Sequence, residues 1–359
     1  MLEIDHPGMA KMLNRDLDEA KIESTVQQVR DLLASGDKTL RSFLYRDILL
    51  NALKAGQDQL DVLDLKVLNL SMAEFRYAAR VFKPYRNVRN VSIFGSARTP
   101  PDDPYYLMAV EFSRMLTEMG YIVITGAAQG IMGAGIEGAG AAKSFGVNIH
   151  LLFESVPYQS IQDDPKLITF RYFFTRKIFF VMEADAFALF PGGFGTHDEA
   201  FEVLTLMQTG KTPLAPLVFC ELPGERYWEA WDAFVREQML ARGYISPEDL
   251  NLYKISHSAR EAADWIKHHY STYHSMRQVY DTLVIRLERE LNDDHIRRLS
   301  EEFRDIIKAG EITRTAPLPQ EADEPDLMVK PRIAFQYTRR SAGRLNELVA
   351  AVNRYGSEQ

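Results

Sequence analysis

The sequence predicts an α/β protein built on a doubly wound, Rossmann-like parallel sheet, with a helical region before it and a small α/β appendage after it. From Val91 onward, short apolar runs alternate with helical patterns, as in a parallel sheet covered by helices on both faces. Glycine-rich turns directly follow two of these runs, at Gly126 and at Gly192. Residues 16–82 show apolar side chains at helical spacing instead.

The N-terminal region, residues 1–87, is predicted to be helical. Ser71 and Glu74 have the spacing of a capping box, so we expect them to open a helix that carries Phe75 and Phe82. The segment that begins at Lys83 contains a proline and is expected to end this helix.

The central region, residues 88–275, is predicted to hold the parallel sheet. Its expected strands are 91–94, 121–125, 147–152, 184–190 and 216–220, and its expected helices are 104–119, 131–145, 173–183, 196–209 and 227–242. Ser258 and Glu261 form a second candidate capping box, for a helix that carries Trp265 and closes the region.

The C-terminal region, residues 276–359, is predicted to be a small α/β unit. The expected order is strand 282–287, helix 293–308, strand 311–315, a loop rich in proline and acidic residues, strand 332–337 and helix 341–354. Because no candidate site residue lies here, we expect the unit to be regulatory or structural and not catalytic.

Composition and charge exclude several classes of protein. Hydrophobic residues make up 46% and charged residues 26% of the 359 residues, which is typical of a globular chain and not of a disordered one. The net charge of −8 argues against nucleic-acid binding as the main activity. No apolar run approaches the ~20 residues of a membrane helix, and the N-terminus lacks a secretory pattern. A single cysteine, Cys220, excludes an internal disulfide and a cysteine-based zinc cluster, so we expect a cytoplasmic protein.

The first glycine-rich turn runs from Gly126 through Gly130 to Gly133. Glycines permit tight turning, and the free N–H groups at the start of the next helix attract phosphate. The dinucleotide pattern G-x-G-x-x-G requires glycine where Ala128 stands, which disfavours an NAD-dependent oxidoreductase. Glu154 is a candidate ribose-binding acid, although it lies further along than the usual ~20 residues. A phosphate site and a packing turn both fit this segment.

The second turn, residues 191–199 with the sequence PGGFGTHDE, also follows a strand and opens a helix. Ligands bind at the carboxyl edge of a parallel sheet, so two such turns can hold one nucleotide from two sides. Thr196 and Glu199 have the spacing of a capping box, which is the structural alternative to an active-site role for Glu199. A cap alone does not require the three glycines that precede it.

Two shorter segments are weaker candidates when taken alone. Arg176-Lys177 lies on the helix before the strand that leads to the second turn. Arginine suits phosphate or carboxylate, but an Arg-Lys pair is more commonly a solvated helix face. Gly95-Ser96 follows the first strand and is a candidate ligand-facing turn.

We expect neither a metal nor a redox cofactor. His197, Asp198 and Glu199 are consecutive, so on a helix they do not share one face.

Together these residues resemble the LOG family, often labelled "lysine decarboxylase-like". The family hallmark PGGxGTxxE is intact at residues 191–199, and the preceding Arg-Lys of the family matches Arg176-Lys177. The first-strand and second-turn motifs of the family match Gly95-Ser96 and residues 125–133. Thr205 stands at a substrate-contact position of the family. The resemblance covers roughly residues 88–270.

The resemblance implies an N-glycosyl hydrolase that splits nucleoside 5′-monophosphates into free base and ribose 5-phosphate. Glu199 and Arg176 are the expected catalytic residues. The expected substrate-binding residues are Gly95, Ser96, Gly126, Gly130, Lys177, Gly192, Gly193, Phe194, Gly195, Thr196 and Thr205. Plant-type members act on cytokinin riboside monophosphates, whereas larger bacterial members, which this chain resembles more, act on ordinary nucleotides.

Other expectations also follow from the resemblance. It implies a homo-oligomer, a dimer or larger, that needs no cofactor. The net charge and the lack of a long apolar run add the expectation of no nucleic-acid and no membrane partner. The sequence differs from compact members at His197 and Asp198, and at Gly126-Ala-Ala, where those members have three glycines. These differences bear on which base the enzyme prefers more than on its chemistry. A non-catalytic nucleotide sensor on the same fold is the alternative, and the intact Arg176 and Glu199 favour the enzyme.

Overall fold

A computed structural model describes residues 19–34, 39–151 and 156–358 of the chain. Within these described residues, three helices precede the sheet: α1 (Glu19–Ala34), α2 (Leu40–Gln57) and α3 (Val62–Phe82). A parallel sheet with its helices follows: β1 (Asn90–Phe94), α4 (Pro104–Glu118), β2 (Ile122–Thr125), α5 (Ile131–Ala139), β3 (Ser144–Ile149), β4 (Leu167–Phe170), α6 (Phe173–Met182), β5 (Ala186–Leu189), α7 (Phe194–Gln208), β6 (Leu217–Cys220), α8 (Tyr227–Phe234), β7 (Lys254–Ser256) and α9 (Ala259–His269). An antiparallel unit comes next: β8 (Tyr273–Val279), β9 (Thr282–Leu287), α10 (Asp293–Glu302), β10 (Thr313–Arg314), β11 (Arg332–Gln336) and α11 (Ala342–Ser357).

The main sheet confirms the predicted doubly wound, Rossmann-like class. Its seven strands pair in parallel, in the order β4-β3-β2-β1-β5-β6-β7. Strands β2, β3 and β4 are therefore added in order on one side of β1, and β5, β6 and β7 are added in order on its other side. β1 and β5 are hydrogen-bonded neighbours, so the point of reversal lies between them. Ligands of open α/β sheets bind outside the carboxyl ends of the strands at such a point.

Apolar side chains cover both faces of the sheet. In β2, Ile122 and Ile124 belong to one core, and Val123 belongs to the core on the other face. This alternation follows from the two-residue period of a strand. Strands buried on both faces appear in the sequence as short continuous apolar runs, which is why the central strands were predictable.

The N-terminal helices agree with the predicted helical region, but the predicted capping box at Ser71 is wrong. Helix α3 begins after Asp61, whose carboxylate accepts two backbone N–H bonds at 2.8 and 3.0 Å. Ser71 and Glu74 therefore lie in the middle of α3, where no free N–H groups need a cap. Glu74 is fully buried and contacts the start of α6 instead.

Several boundaries in the central region differ from the predicted ones. Strands β4 and β7 were not predicted, because they are short and only partly buried. The helix expected over 131–145 ends at Gly140, whose φ of +74° stops an α-helix, and β3 then begins earlier than predicted. Helix α8 passes into a π-helical turn at Val235–Leu240. The predicted N-cap at Ser258 is confirmed, since its side chain accepts the Glu261 N–H at 3.2 Å.

The antiparallel unit forms a four-stranded sheet in the order β10-β11-β9-β8. Its first strand, β8, was not predicted and begins at Tyr273, before the expected boundary at 276. Helix α11 packs on the turn at Pro247–Leu252 so closely that a Cβ on Gly343 would lie 1.8 Å from the Glu248 carbonyl oxygen. Apolar residues of this unit and of the parallel sheet belong to one continuous core.

Across the described ranges, no helix has both the length and the apolar character needed to cross a bilayer.

Candidate active site

Three turns meet at the carboxyl edge of the sheet, where the strand order reverses, and Ser96 joins them. Ser96 follows β1, and its N–H donates to the Pro191 carbonyl in the turn after β5 at 3.1 Å. Its carbonyl accepts the Ile131 N–H, at the start of α5, at 3.0 Å. The predicted segments at Gly95-Ser96, 126–133 and 191–199 are thus brought together by backbone hydrogen bonds.

Close contact between these turns explains two of their glycines. A Cβ on Gly130 would lie 2.2 Å from the Ser96 carbonyl oxygen, and Gly130 also has a φ of +65°. A Cβ on Gly192 would lie 2.2 Å from the Thr196 hydroxyl and 2.9 Å from the Ser96 nitrogen. No side chain fits at either position without moving the neighbouring turn.

Ala127 adopts a backbone conformation that glycine normally supplies. Its φ is +58°, and its side chain is fully buried. The alanine in place of the family's glycine is therefore accommodated in the left-handed region, at a cost of about 1–2 kcal/mol.

Arg176 lies on α6 and reaches across to the turn after β2. Its Nε donates to the Val147 carbonyl at 2.8 Å, and a Cβ on Gly126 would lie 2.5 Å from its Nη2. Its guanidinium carbon lies 4.9 Å from the centre of the Phe180 ring. Burial lowers the pKa of Arg176 to about 10, which the negative charge of Glu199 partly opposes. The side chain is therefore held in place as a cation, with Gly126 making room for it.

Glu199 is buried inside helix α7 and does not cap it. The helix begins at Phe194 with Gly193 as N-cap, so Thr196 and Glu199 both lie within it. Only 8% of Glu199 is exposed, and its Oε2 is buried and makes no hydrogen bond with any residue that the structure describes. Burial raises the pKa of Glu199 to about 7, while the charges of Lys177 and Arg176 lower it and those of Glu202 and Asp198 raise it. A carboxyl group in this state can change its charge near neutral pH.

Lys177 is surrounded by carboxylates. Its Nζ lies 2.6 Å from Glu202 Oε2, 2.9 Å from Asp198 Oδ2 and 4.0 Å from Glu199 Oε2. Sequence reasoning assigned Lys177 to substrate binding, and the structure places it where it also balances the charge of Glu199. Glu202 was not predicted as a site residue, although its spacing from Glu199 puts both on one face of α7.

The hallmark loop, residues 191–195, leads into α7 and is exposed at its last three residues. Gly193, Phe194 and Gly195 are exposed, Phe194 to 96%, and a Cβ on either glycine would meet no atom within 4 Å. The N–H groups of Phe194 and Gly195 lie in the first turn, where a helix offers them no acceptor. The Thr196 N–H differs, because it donates to the Gly193 carbonyl at 3.0 Å. Gly193, Phe194 and Gly195 are therefore the better candidates for holding an anion.

Two of the candidate residues do not join this cluster. Thr205 lies on a different face of α7 from Glu199 and lines an apolar cavity of about 100 Å³ with Phe201, Trp231 and Tyr253. Glu154, the candidate ribose-binding acid, lies outside the described residues.

Among the residues that the structure describes, no group of three or more His, Cys, Asp or Glu side chains is placed to hold a metal ion. His197 contacts Tyr227 and Asp198 contacts Lys177, so these two neighbours of Glu199 point to different partners.

Comparisons with known proteins found similar solved structures. Three solved structures illustrate the likeness. The molybdenum cofactor binding protein from the phototrophic bacterium Rippkaea orientalis is 16% identical, over 50% of this chain and 96% of that chain, with a TM-score of 0.37. The protein TM1055 is 19% identical, over 50% and 99% of the two chains, with a TM-score of 0.36. DNA processing protein A from Helicobacter pylori is 12% identical, over 51% and 82%, with a TM-score of 0.37.

A search of curated proteins gave no significant match. The sequence model of the family described as "Possible lysine decarboxylase" matches residues 125–266, which include Arg176 and the whole hallmark loop. That description and the LOG resemblance refer to the same family. Residues 125–266 of this chain are therefore a domain of the LOG family.

Proposed function

We propose that this protein hydrolyses the N-glycosidic bond of nucleoside 5′-monophosphates, releasing free base and ribose 5-phosphate. One observation carries the proposal: the buried Glu199 carboxyl group, with an oxygen free of hydrogen bonds, lies in the electrostatic reach of Arg176 at the switch point of the sheet. Buried polar atoms normally make hydrogen bonds, so a buried carboxylate oxygen whose ion pair with Lys177 is as long as 4.0 Å supports a functional role for Glu199.

The chemistry of N-glycoside cleavage suits this arrangement. The bond from C1′ to the base nitrogen breaks, its electron pair leaves with the base, and the sugar passes through an oxocarbenium-like state. A water oxygen then bonds to C1′, and one proton from that water ends on the base. In its ionised form, Glu199 stabilises the positive charge on the sugar and orients the water.

The other groups of the site act in binding and orientation. Gly193, Phe194 and Gly195 are exposed at the start of a helix, where free N–H groups favour a phosphate. Arg176 supplies a fixed cation beside Gly126 that suits the ribose phosphate. Binding through phosphate places the sugar, and the reaction takes place at the carboxylate.

A panel of ribonucleoside 5′-monophosphates, with chromatography of the free base, tests the proposal. We expect release of base from at least one nucleotide and much slower release from the matching nucleoside. Arg176→Ala is expected to lower turnover and to weaken nucleotide binding as well. Equal rates on AMP and adenosine would contradict anchoring through phosphate. Tight nucleotide binding with no base release from any member of the panel would instead favour the non-catalytic sensor.

A further inference from the structure

Tyr227, a residue outside the family hallmark, forms a hydrogen bond with the backbone of the hallmark loop. Tyr227 is the first residue of α8, and its hydroxyl donates a hydrogen bond to the Gly192 carbonyl. The same hydroxyl oxygen lies 2.7 Å from His197 Nε2. Tyr227 therefore bonds to the loop at Gly192 and to the helix that the loop opens.

The directions of these two hydrogen bonds follow from atom counts. A tyrosine hydroxyl carries one hydrogen, and the Gly192 carbonyl can only accept. The hydroxyl hydrogen is therefore used on Gly192, and His197 Nε2 must donate to the tyrosine oxygen. Burial lowers the pKa of His197, which favours a neutral ring, and the hydrogen bond to Tyr227 then requires the ring proton on Nε2. The contact of the His197 ring with Trp228, at 5.4 Å between ring centres, keeps that nitrogen in place.

Fixing the Gly192 carbonyl also fixes the N–H of Gly193. The two groups belong to one planar peptide unit, in which C=O and N–H point in opposite directions. No atom would lie within 4 Å of a Cβ on Gly193, so packing on that side of the residue does not restrain it. Two glycines in succession lack the side chains that would restrict rotation of this peptide, so a hydrogen bond to its carbonyl helps to fix its orientation. Tyr227 supplies that hydrogen bond.

We propose that Tyr227, supported by His197, is a positioning residue that aims the Gly193 N–H at the substrate phosphate. The inference rests on the proposed function, because it deepens the role of the same site. Tyr227 touches no reacting atom in this assignment and acts through the Gly192–Gly193 peptide. Its loss should therefore weaken ligands that carry the phosphate and leave other ligands unaffected.

Tyr227→Phe tests this, because it removes only the hydroxyl. Binding of ribose 5-phosphate and of ribose is measured by calorimetry, and KM is measured for a nucleotide and its nucleoside. We expect ribose 5-phosphate to bind about tenfold more weakly and KM for the nucleotide to rise similarly, the effect of one lost hydrogen bond to a phosphate-binding unit. Values for ribose and for the nucleoside should not change.

Tyr253→Phe is the matched control. Its hydroxyl donates to Asp232, a carboxylate that also pairs with Arg236 at 2.6 Å, and it does not contact the loop. If Tyr227→Phe behaves like this control, or weakens ribose and ribose 5-phosphate equally, the inference is wrong. A parent protein that binds no ribose 5-phosphate and releases no base would overturn the proposed function itself.

His197→Phe keeps an aromatic ring beside Trp228 and removes the donor to Tyr227. We expect a smaller loss of ribose 5-phosphate affinity and little further loss when this change is combined with Tyr227→Phe, because both act through one peptide. This variant also decides the question if Tyr227→Phe does not fold, since unchanged affinity for ribose 5-phosphate in His197→Phe would contradict the inference.

Discussion

Glu74, in the N-terminal helix α3, accepts a hydrogen bond from the hydroxyl of Thr175, the neighbour of Arg176 in α6. Its other carboxylate oxygen accepts the Arg171 N–H at 2.5 Å. Burial raises the pKa of Glu74, while these hydrogen bonds lower it. A side chain from outside the family domain thus fixes the start of the helix that carries Arg176.

We predict that Glu74→Gln lowers both stability and turnover. The amide group has one acceptor oxygen, so one of the two donors loses its partner, at a cost of about 1–3 kcal/mol. Asp64→Asn, at an exposed position of the same helix, is the control and should cost less. Thermal unfolding and base release measure the two effects. Unchanged values of both in Glu74→Gln would show that α3 does not support the site.

The pH dependence of the reaction should follow Glu199. Burial raises its pKa to about 7, and the proposed chemistry requires the ionised form. We therefore predict that kcat/KM rises with pH through about 7 and levels off above it, since the carboxylate form accumulates in that direction. A profile that is flat from pH 5 to pH 8, or that falls over this interval, would contradict the role of Glu199 as the carboxylate.

The substrate phosphate titrates in a pH range similar to that of Glu199. The variant Lys177→Met shows which of the two groups causes the rising limb of the pH profile. The charge of Lys177 lowers the pKa of Glu199, and its removal also leaves Glu202 and Asp198 without this cation. We predict that the rising limb of the kcat/KM profile moves to higher pH. Lys211→Met, at an exposed lysine beyond the end of α7, should leave the profile in place. If the rising limb stays in place in both variants, it reports the titration of the substrate phosphate and not that of Glu199.

Sequence patterns predicted the fold better than they predicted the site. Apolar runs such as 122–125 reveal buried strands directly, because both faces of the sheet are covered. Edge strands β4 and β7 lack that signal, because part of each stays accessible. Capping patterns are local, and a cap is needed only where a helix begins. The pattern at Ser258 coincides with a helix start, whereas those at Ser71 and Thr196 fall inside helices that begin earlier.

The contacts within the site could not be read from the sequence. Glycine positions and the hallmark indicated which turns carry it, but the bonds of Ser96 to both other turns depend on tertiary structure. Tyr227 gave no signal, because its partners, Gly192 and His197, are distant in the sequence. The three-residue spacing between Glu199 and Glu202 could have predicted that they share one face of α7. The charge of Glu202 did not distinguish it from the other acidic residues of this helix.

We predict that the protein is a homo-oligomer. Helices α2 and α3 expose many large apolar side chains, and α6 adds more beside Arg176: Leu40, Phe43, Leu44, Ile48, Leu53, Val62, Leu63, Leu68, Met72, Phe75, Phe173, Phe174 and Ile178. Apolar surface of this extent is typical of an interface. Light scattering should show a species larger than the 41.0 kDa chain.

A paired change in α2 tests where the copies meet. Leu44→Glu with Ile48→Glu places charges on one helix face and should shift the protein toward the monomer. Val329→Glu, at an exposed site in the antiparallel unit, is the control and should not. A parent protein that runs only as a 41.0 kDa species at micromolar concentration contradicts the prediction.

The turnover of Glu199→Gln is the decisive measurement for the proposed role of the Glu199 carboxylate. Because burial raises the pKa of Glu199 above its usual value, the folded state favours the neutral form, and the stability it contributes is lost as pH rises toward 7. A neutral glutamine should therefore leave the melting temperature at pH 8 within a few degrees of the parent, or above it, and nucleotide should still bind. The account predicts a loss of turnover of at least ~100-fold, because an amide cannot stabilise the developing sugar cation. A folded Glu199→Gln protein that releases base within a few-fold of the parent rate would contradict it.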